Sequence, residues 1–238
     1  MTTATPVDYT LEGKPHQGLL VHDETRAGPA PTVLAFHAWD GRTGAHDDFA
    51  RRLAALGWNG FAVDLYGKGV VGNTTEECQA LMNPLIGDRA RLRSLLLAAV
   101  DVAAGLPQVD ASRMAAIGFC FGGLCVLDLA RAGAPLRGVA SFHGLFIPPG
   151  LPSVTPIKPK VIAFHGWADP MAKPDAVVGF GEEFTRDGAD WQLHGFGGAM
   201  HGFMNVGANM PEMGIQYNET VAKRAWTGLA AFLNEVLV

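Results

Sequence analysis

Apolar residues along this chain fall into two kinds of run. Short unbroken stretches occupy residues 32–37, 60–64, 115–117, 138–142 and 160–165. Such runs, without polar alternation, fit strands buried on both faces, as in a parallel sheet. Between them, apolar residues recur every three or four positions, which predicts helices with one buried face. Residues 46–56 place Phe49, Leu53 and Leu56 together and stop at Gly57. Thr74 caps a helix running to about residue 85, with Glu77 at the capping-box position. Residues 88–104 line up Leu92, Leu95, Leu96, Ala99 and Val100. Further helices are predicted over 123–131, 174–186 and 215–237. A short last strand covers 191–194, followed by a Gly-rich loop at 195–213. Two N-terminal segments, 7–11 and 16–22, flank a Gly-Lys-Pro turn and predict a hairpin. Strands alternating with helices imply right-handed crossovers and an α/β fold: a mostly parallel central sheet with helices on both faces. No repeat or compositional break divides the chain. Residues 1–238 are therefore expected to form a single domain, with the hairpin of residues 1–26 packed on it.

Composition narrows the picture by exclusion. At 238 residues the chain can bury a sizeable core; 48% is hydrophobic and 17% charged, as in ordinary globular proteins. A net charge of -5 without any basic run argues against a nucleic-acid surface. No apolar stretch is long enough to span a membrane, and the first residues lack a signal-peptide pattern. Cys78, Cys120 and Cys125 are an odd set without regular spacing, so no disulfide framework is expected. The expectation is a cytoplasmic protein with reduced thiols.

Chemistry concentrates at Gly118-Phe-Cys120-Phe-Gly122, which follows a short apolar strand and opens a helix. This is the G-x-S-x-G nucleophile elbow with cysteine in place of serine. A residue held in that strained turn is crowded by neighbouring backbone, and glycine two positions before and after removes the colliding Cβ atoms. The turn also leaves Cys120 at a helix N-terminus, where the dipole favours negative charge. A buried structural cysteine would fit the same segment. Functional groups in such a sheet gather beyond the carboxyl ends of the strands. There the chain supplies Asp169, in Gly166-Trp-Ala-Asp169-Pro, and His201, in Gly197-Gly-Ala-Met-His201-Gly-Phe-Met. Nucleophile, acid and histidine thus follow the order of the α/β-hydrolases. Histidine moves the proton and aspartate fixes its tautomer. Taken singly, Asp169 could be a turn former and His201 one of eight histidines in a glycine loop.

With these segments together, the sequence resembles the dienelactone hydrolase family. The similarity runs from about residue 32 to 237. It rests on Gly118-Phe-Cys120-Phe-Gly-Gly123, Asp64-Leu-Tyr-Gly67, His165-Gly-Trp-Ala-Asp169-Pro and His201-Gly-Phe-Met-Asn205. The resemblance implies an α/β-hydrolase fold and hydrolysis of a small-molecule lactone or ester, without metal or organic cofactor. It implies Cys120 as nucleophile, His201 as base and Asp169 as orienting acid. An oxyanion hole is implied at the backbone N–H groups of Phe121 and Trp39. His37, Tyr66, Met82, His143, Phe203 and Asn205 are the candidate substrate-binding residues. A monomer or small homo-oligomer is expected. Two positions depart from the family pattern. Ala38 stands where members often carry a cysteine-activating glutamate, for which Asp40 or His37 are candidate substitutes. Asn205 stands where an arginine holds the substrate carboxylate, with Lys68 the nearest candidate replacement.

Rival readings are weaker. Five histidines near strand ends (His37, His143, His165, His194 and His201) match no metal-ligand spacing. His165 reads as a satisfied core histidine, Cys125 as core, and Cys78 as a helix residue near the site's rim. Cys120 and Cys125 are not C-x-x-C. A non-catalytic small-molecule binding protein of the same fold is the remaining alternative; it has no need of all three reactive groups.

Overall fold

The computed structural model describes residues 1–238. A hairpin of β1 (Thr2–Leu11) and β2 (Lys14–Asp23) precedes six strands: β3 (Ala30–Phe36), β4 (Asn59–Val63), β5 (Val109–Phe119), β6 (Gly138–Phe142), β7 (Lys160–Gly166) and β8 (Trp191–Phe196). They form one eight-stranded sheet in the order β1-β2-β4-β3-β5-β6-β7-β8. From β4 to β8 every pairing is parallel. The hairpin does not pack on the sheet but extends it, because Leu19, Leu20 and Val21 of β2 pair antiparallel with β4. Six helices cover the faces: α1 (Gly44–Ala55), α2 (Thr75–Gly87), α3 (Arg89–Ala104), α4 (Phe121–Arg131), α5 (Pro174–Arg186) and α6 (Glu219–Leu237). Leu92 and Leu96 of α3, Leu124 of α4 and Phe180 of α5 fill one face. Leu53 of α1 and Leu229 and Phe232 of α6 fill the other. No helix is long and apolar enough to cross a membrane.

The central apolar runs form strands for the reason the pattern gives: every residue of β4 and β6 is buried. Chain direction across the sheet switches at β3, which lies between β4 and β5. The loops after β3 and β5 therefore meet at a switch point, where ligands bind in open α/β sheets.

Local details correct several boundaries. Thr74 caps α2 as expected, and only the reciprocal half of the capping box differs. Thr74 Oγ1 accepts from Glu77 N–H at 3.2 Å, but Glu77 reaches back to Asn73 N–H at 2.8 Å rather than to the cap itself. The last helix begins at Glu219, not at residue 215, with Asn218 Oδ1 accepting from Val221 N–H. Ile215 and Gln216 instead form β10, paired with β9 (Asn209–Met210) inside the expected loop. The elbow helix α4 is buried along its whole length, including Asp128 and Arg131. Asp128 accepts from Arg89 Nε and Nη2 at 2.8 and 2.7 Å and from Arg131 Nη1 at 3.1 Å, while Arg131 also grips Glu183 on α5 at 2.7 and 2.8 Å.

Candidate active site

At the end of β5 the backbone of Cys120 takes φ 54° and ψ -112°, and α4 starts at the next residue. A left-handed non-glycine residue costs free energy and persists only where its surroundings fix it. The fixing contacts are backbone ones. Cys120 N–H donates to Phe142 O at 3.0 Å. A Cβ on Gly118 would overlap the Gly122 carbonyl, and a Cβ on Gly122 would overlap the Phe36 carbonyl. So the two glycines let β5, α4 and the end of β3 close around the turn. Cys120 itself stays partly exposed, whereas Cys78 and Cys125 are buried.

Asp169 and His201 arrive on two loops that are tied to each other. Ala168 N–H donates to Ala199 O at 2.9 Å, and Cβ on Gly166 would meet the same carbonyl at 2.6 Å. His201 is pinned on both sides by residues 214–216: its N–H donates to Gly214 O and its carbonyl accepts from Gln216 N–H. Asp169 is buried; Oδ1 accepts from Met171 N–H and Oδ2 meets His201 Nδ1, both at 2.8 Å. That bond puts the proton on Nδ1. The other nitrogen, Nε2, makes no well-formed hydrogen bond. It faces the Cys120 sulfur. Burial depresses the imidazole's proton affinity, but the Cys120 charge and the Asp169 hydrogen bond outweigh it and raise the pKa to about 10.

The loop after β3 supplies the opposite side. Trp39 N–H makes no hydrogen bond within the protein. Phe121 is the first residue of α4, where an N–H has no acceptor inside the helix. Both donors named in the sequence therefore remain open. Asp64, buried at the end of β4, explains its segment: its carboxylate accepts from Gln17, Tyr66 and Gly67 N–H and folds the loop that carries Tyr66. Tyr66 is half-buried, with its hydroxyl on Trp39 O at 3.1 Å and its ring stacked on Phe121. Beside it, Leu65, Leu81 and Leu85 line a small cavity of about 120 Å³.

The substrate-binding candidates divide. Tyr66 and Met82 are partly exposed, and both pack on the core. His37 has no exposed surface, and both ring nitrogens are engaged by backbone, so it is not a substrate contact. Phe203 is likewise fully buried, its ring edge-on to those of His143 and Phe196. Asn205 is exposed, but its Oδ1 accepts from Gly207 N–H at 2.9 Å and stabilises its own turn. Lys68 is paired with Asp8 at 2.9 Å. His143 is buried at φ 38°, 5.1 Å ring to ring from His201, with both nitrogens unpartnered. Burial and the His201 charge hold it well below the usual histidine range. His165 is buried too, but Nδ1 has no partner, so it is not a satisfied core histidine. Asp40 lies on the Trp39 loop, where burial raises its carboxyl to about 6. No group of three or more His, Cys, Asp or Glu side chains is arranged to hold a metal ion.

Two solved structures match this chain along its whole length. A solved structure named m3DLH is 36% identical, with a TM-score of 0.94, over 100% of this chain and 99% of that one. The structure of a dienelactone hydrolase-like promiscuous phosphotriesterase, P91, from metagenomic libraries is 34% identical with a TM-score of 0.90, again over 100% and 99%. Protein K02A2.1 of Caenorhabditis elegans is 34% identical over 148 residues, 61% of this chain and 94% of that one. The model of the dienelactone hydrolase family matches residues 17–237. With that match, the sheet order and the cysteine elbow agreeing, the chain belongs to the dienelactone hydrolase family and is an ester or lactone hydrolase of the α/β-hydrolase fold.

Proposed function

We propose that this hydrolase opens a lactone or cleaves a carboxylic ester through an acyl-thiol intermediate on Cys120. One observation carries the reading. His201 is fixed to Asp169 through Nδ1 at 2.8 Å, leaving Nε2 beside the Cys120 sulfur and bound to nothing else. The Asp169 bond and the neighbouring sulfur raise the proton affinity of His201, which suits it to take the Cys120 proton. The attacking species is the sulfur once its proton has passed to His201 Nε2. Sulfur adds to the carbonyl carbon, and the oxygen's new charge is received by Trp39 and Phe121 N–H. As the C–O bond breaks, His201 gives its proton to the leaving alkoxide. Neutral His201 next takes a proton from water, whose oxygen attacks the thioester and releases the acid and the thiol. Asp169 holds the ring in one tautomer throughout.

Charge around the site favours a neutral substrate. Asn205 offers an amide where a charged fork would clamp a carboxylate. Nearby cations have carboxylate partners of their own: Lys68 pairs with Asp8, Arg91 with Glu12 and Arg42 with Asp47. Above pH 6, Asp40 adds a negative charge to the oxyanion loop. The experiment is turnover of p-nitrophenyl acetate by the wild type and by Cys120→Ala. Loss of turnover in the variant supports the proposal, and undiminished turnover removes Cys120 from the mechanism.

A further inference from the structure

We propose that His37 is a positioning residue: it sets the direction in which the Trp39 N–H points and so builds half of the oxyanion hole. The inference deepens the acyl-thiol reading and rests on it. His37 Nδ1 lies 2.7 Å from Ala38 O, and Nε2 accepts from Leu65 N–H at 3.1 Å. A carbonyl only accepts, so Nδ1 carries the hydrogen and the ring is the neutral Nδ1–H tautomer. The carbonyl it binds belongs to the same peptide unit as Trp39 N–H. That unit is planar, with C=O and N–H pointing in opposite directions. Fixing Ala38 O therefore fixes the line along which Trp39 N–H is aimed.

Contacts around this peptide leave His37 as the group that decides its tilt. Ala38 N–H, in the preceding peptide, donates to His46 Nε2 at 3.0 Å, and His46 Nδ1 is satisfied by Thr43 Oγ1 at 3.0 Å. The following peptide is held through Trp39 O by the Tyr66 hydroxyl at 3.1 Å. On Ala38 O itself the other donor is Gly41 N–H, at a long 3.4 Å. Without the His37 bond, the peptide between two pinned neighbours could rotate and turn its N–H away from the substrate oxygen. Two donors on one carbonyl also polarise the amide and strengthen its N–H as a donor. Through Leu65 N–H, 28 residues away in sequence, the ring ties this aim to the end of β4. That the ring is buried against Tyr66 and Phe121 explains why it holds one orientation.

Two amide substitutions separate the two ring nitrogens. In His37→Asn the side-chain NH₂ falls near Nδ1 and keeps a donor for Ala38 O. In His37→Gln the longer amide reaches the Nε2 position and accepts from Leu65 N–H, but leaves Ala38 O without its short bond. Ester turnover uses the oxyanion hole; alkylation of Cys120 by iodoacetamide is a displacement at carbon that develops no oxyanion. For His37→Gln we expect kcat on p-nitrophenyl acetate to fall about 10–100-fold, part of the ~10²–10³ that outright loss of one donor costs. KM and the iodoacetamide rate should stay unchanged. His37→Asn should recover most of the lost kcat. Equal turnover in all three proteins, or parallel losses of turnover and alkylation, would overturn the proposal. If the glutamine variant does not fold, His37→Leu replaces it as the variant lacking the Ala38 O bond: a selective loss of turnover that His37→Asn does not share supports the assignment, and turnover equal to the wild type refutes it. Failure of the acyl-thiol reading is distinguishable, because Cys120→Ala would then turn over the ester whatever His37 does.

Discussion

Replacing Asp128 by alanine should destabilise the protein severely while leaving the reaction's groups in place. Asp128 is 3% exposed and sits between two guanidinium groups that are themselves buried. Without it, Arg131 keeps both hydrogen bonds to Glu183, so its charge remains paired. Arg89 keeps one neutral acceptor, Ile147 O at 3.1 Å. Breaking a buried pair by removing one partner costs about 3–5 kcal/mol, because the remaining charge is uncompensated. In a domain of this size, 1 kcal/mol moves Tm by roughly 2–4 °C, so Tm should drop by about 6–20 °C. Thermal unfolding followed by circular dichroism measures the drop. A second substitution tests the cause: Arg89→Met added to Asp128→Ala removes the stranded charge and should recover about half or more of the loss. A melting point in Asp128→Ala close to the wild type would refute the reasoning. So would a double variant less stable than Asp128→Ala.

Four other outcomes are expected. Cys120→Ala and His201→Ala should each lower kcat for p-nitrophenyl acetate by at least about 10³-fold and Asp169→Ala by less, because nucleophile and base act as one unit; steady-state kinetics of the three variants checks the order. Asn205→Arg should raise kcat/KM for an anionic dienelactone relative to a neutral lactone of similar size by about 10–100-fold, the worth of one charge-assisted hydrogen bond; a wild type already favouring the anion would contradict it. Burial, then the charge of His37, lowers His46 from its ordinary 6.5 to about 3. A folded pKa below the unfolded one gives stability that is present above 6.5 and lost as pH falls toward 3, at roughly 1.4 kcal/mol per pH unit. Urea midpoints compared between wild type and His46→Gln should therefore diverge less at pH 5 than at pH 7. Gly122→Ala, whose Cβ would overlap the Phe36 carbonyl, should cost about 1–3 kcal/mol and depress turnover, read by melting and by the ester assay.

Much of the fold was legible because local physics and tertiary structure agree. The buried strands are continuous apolar runs, and Pro174–Arg186 is bounded as expected, with proline in its first turn. The start of α6 was misread because Ile215 continues the apolar rhythm of a helix. Its backbone is used instead to pair with Met210 and to bracket His201, while Asn218 marks the true cap. Spacing at strand ends brought Asp169 and His201 to one place, since loop order follows strand order. It did not show that His37, also a histidine at a strand end, faces backbone rather than substrate. The difference lies in what each ring meets: a carboxylate and a thiol for His201, two backbone groups for His37, Leu65 being distant in sequence. Lys68 read as a free cation because its partner, Asp8, lies 60 residues away on an edge strand. The role of Asp128 left no sequence signal beyond a charge within an apolar helix.

Cys120 carrying the acyl group is the central step of the proposed reaction. Rapid mixing of the protein with p-nitrophenyl acetate, acid quenching during the first turnover and peptide mass spectrometry tests this directly. One acetyl group on the peptide containing Cys120, absent from Cys120→Ala and accumulating before steady-state release of acetate, is the predicted result. Complete turnover with no acetylated Cys120 at any time, and with Cys120→Ala equally active, would contradict it.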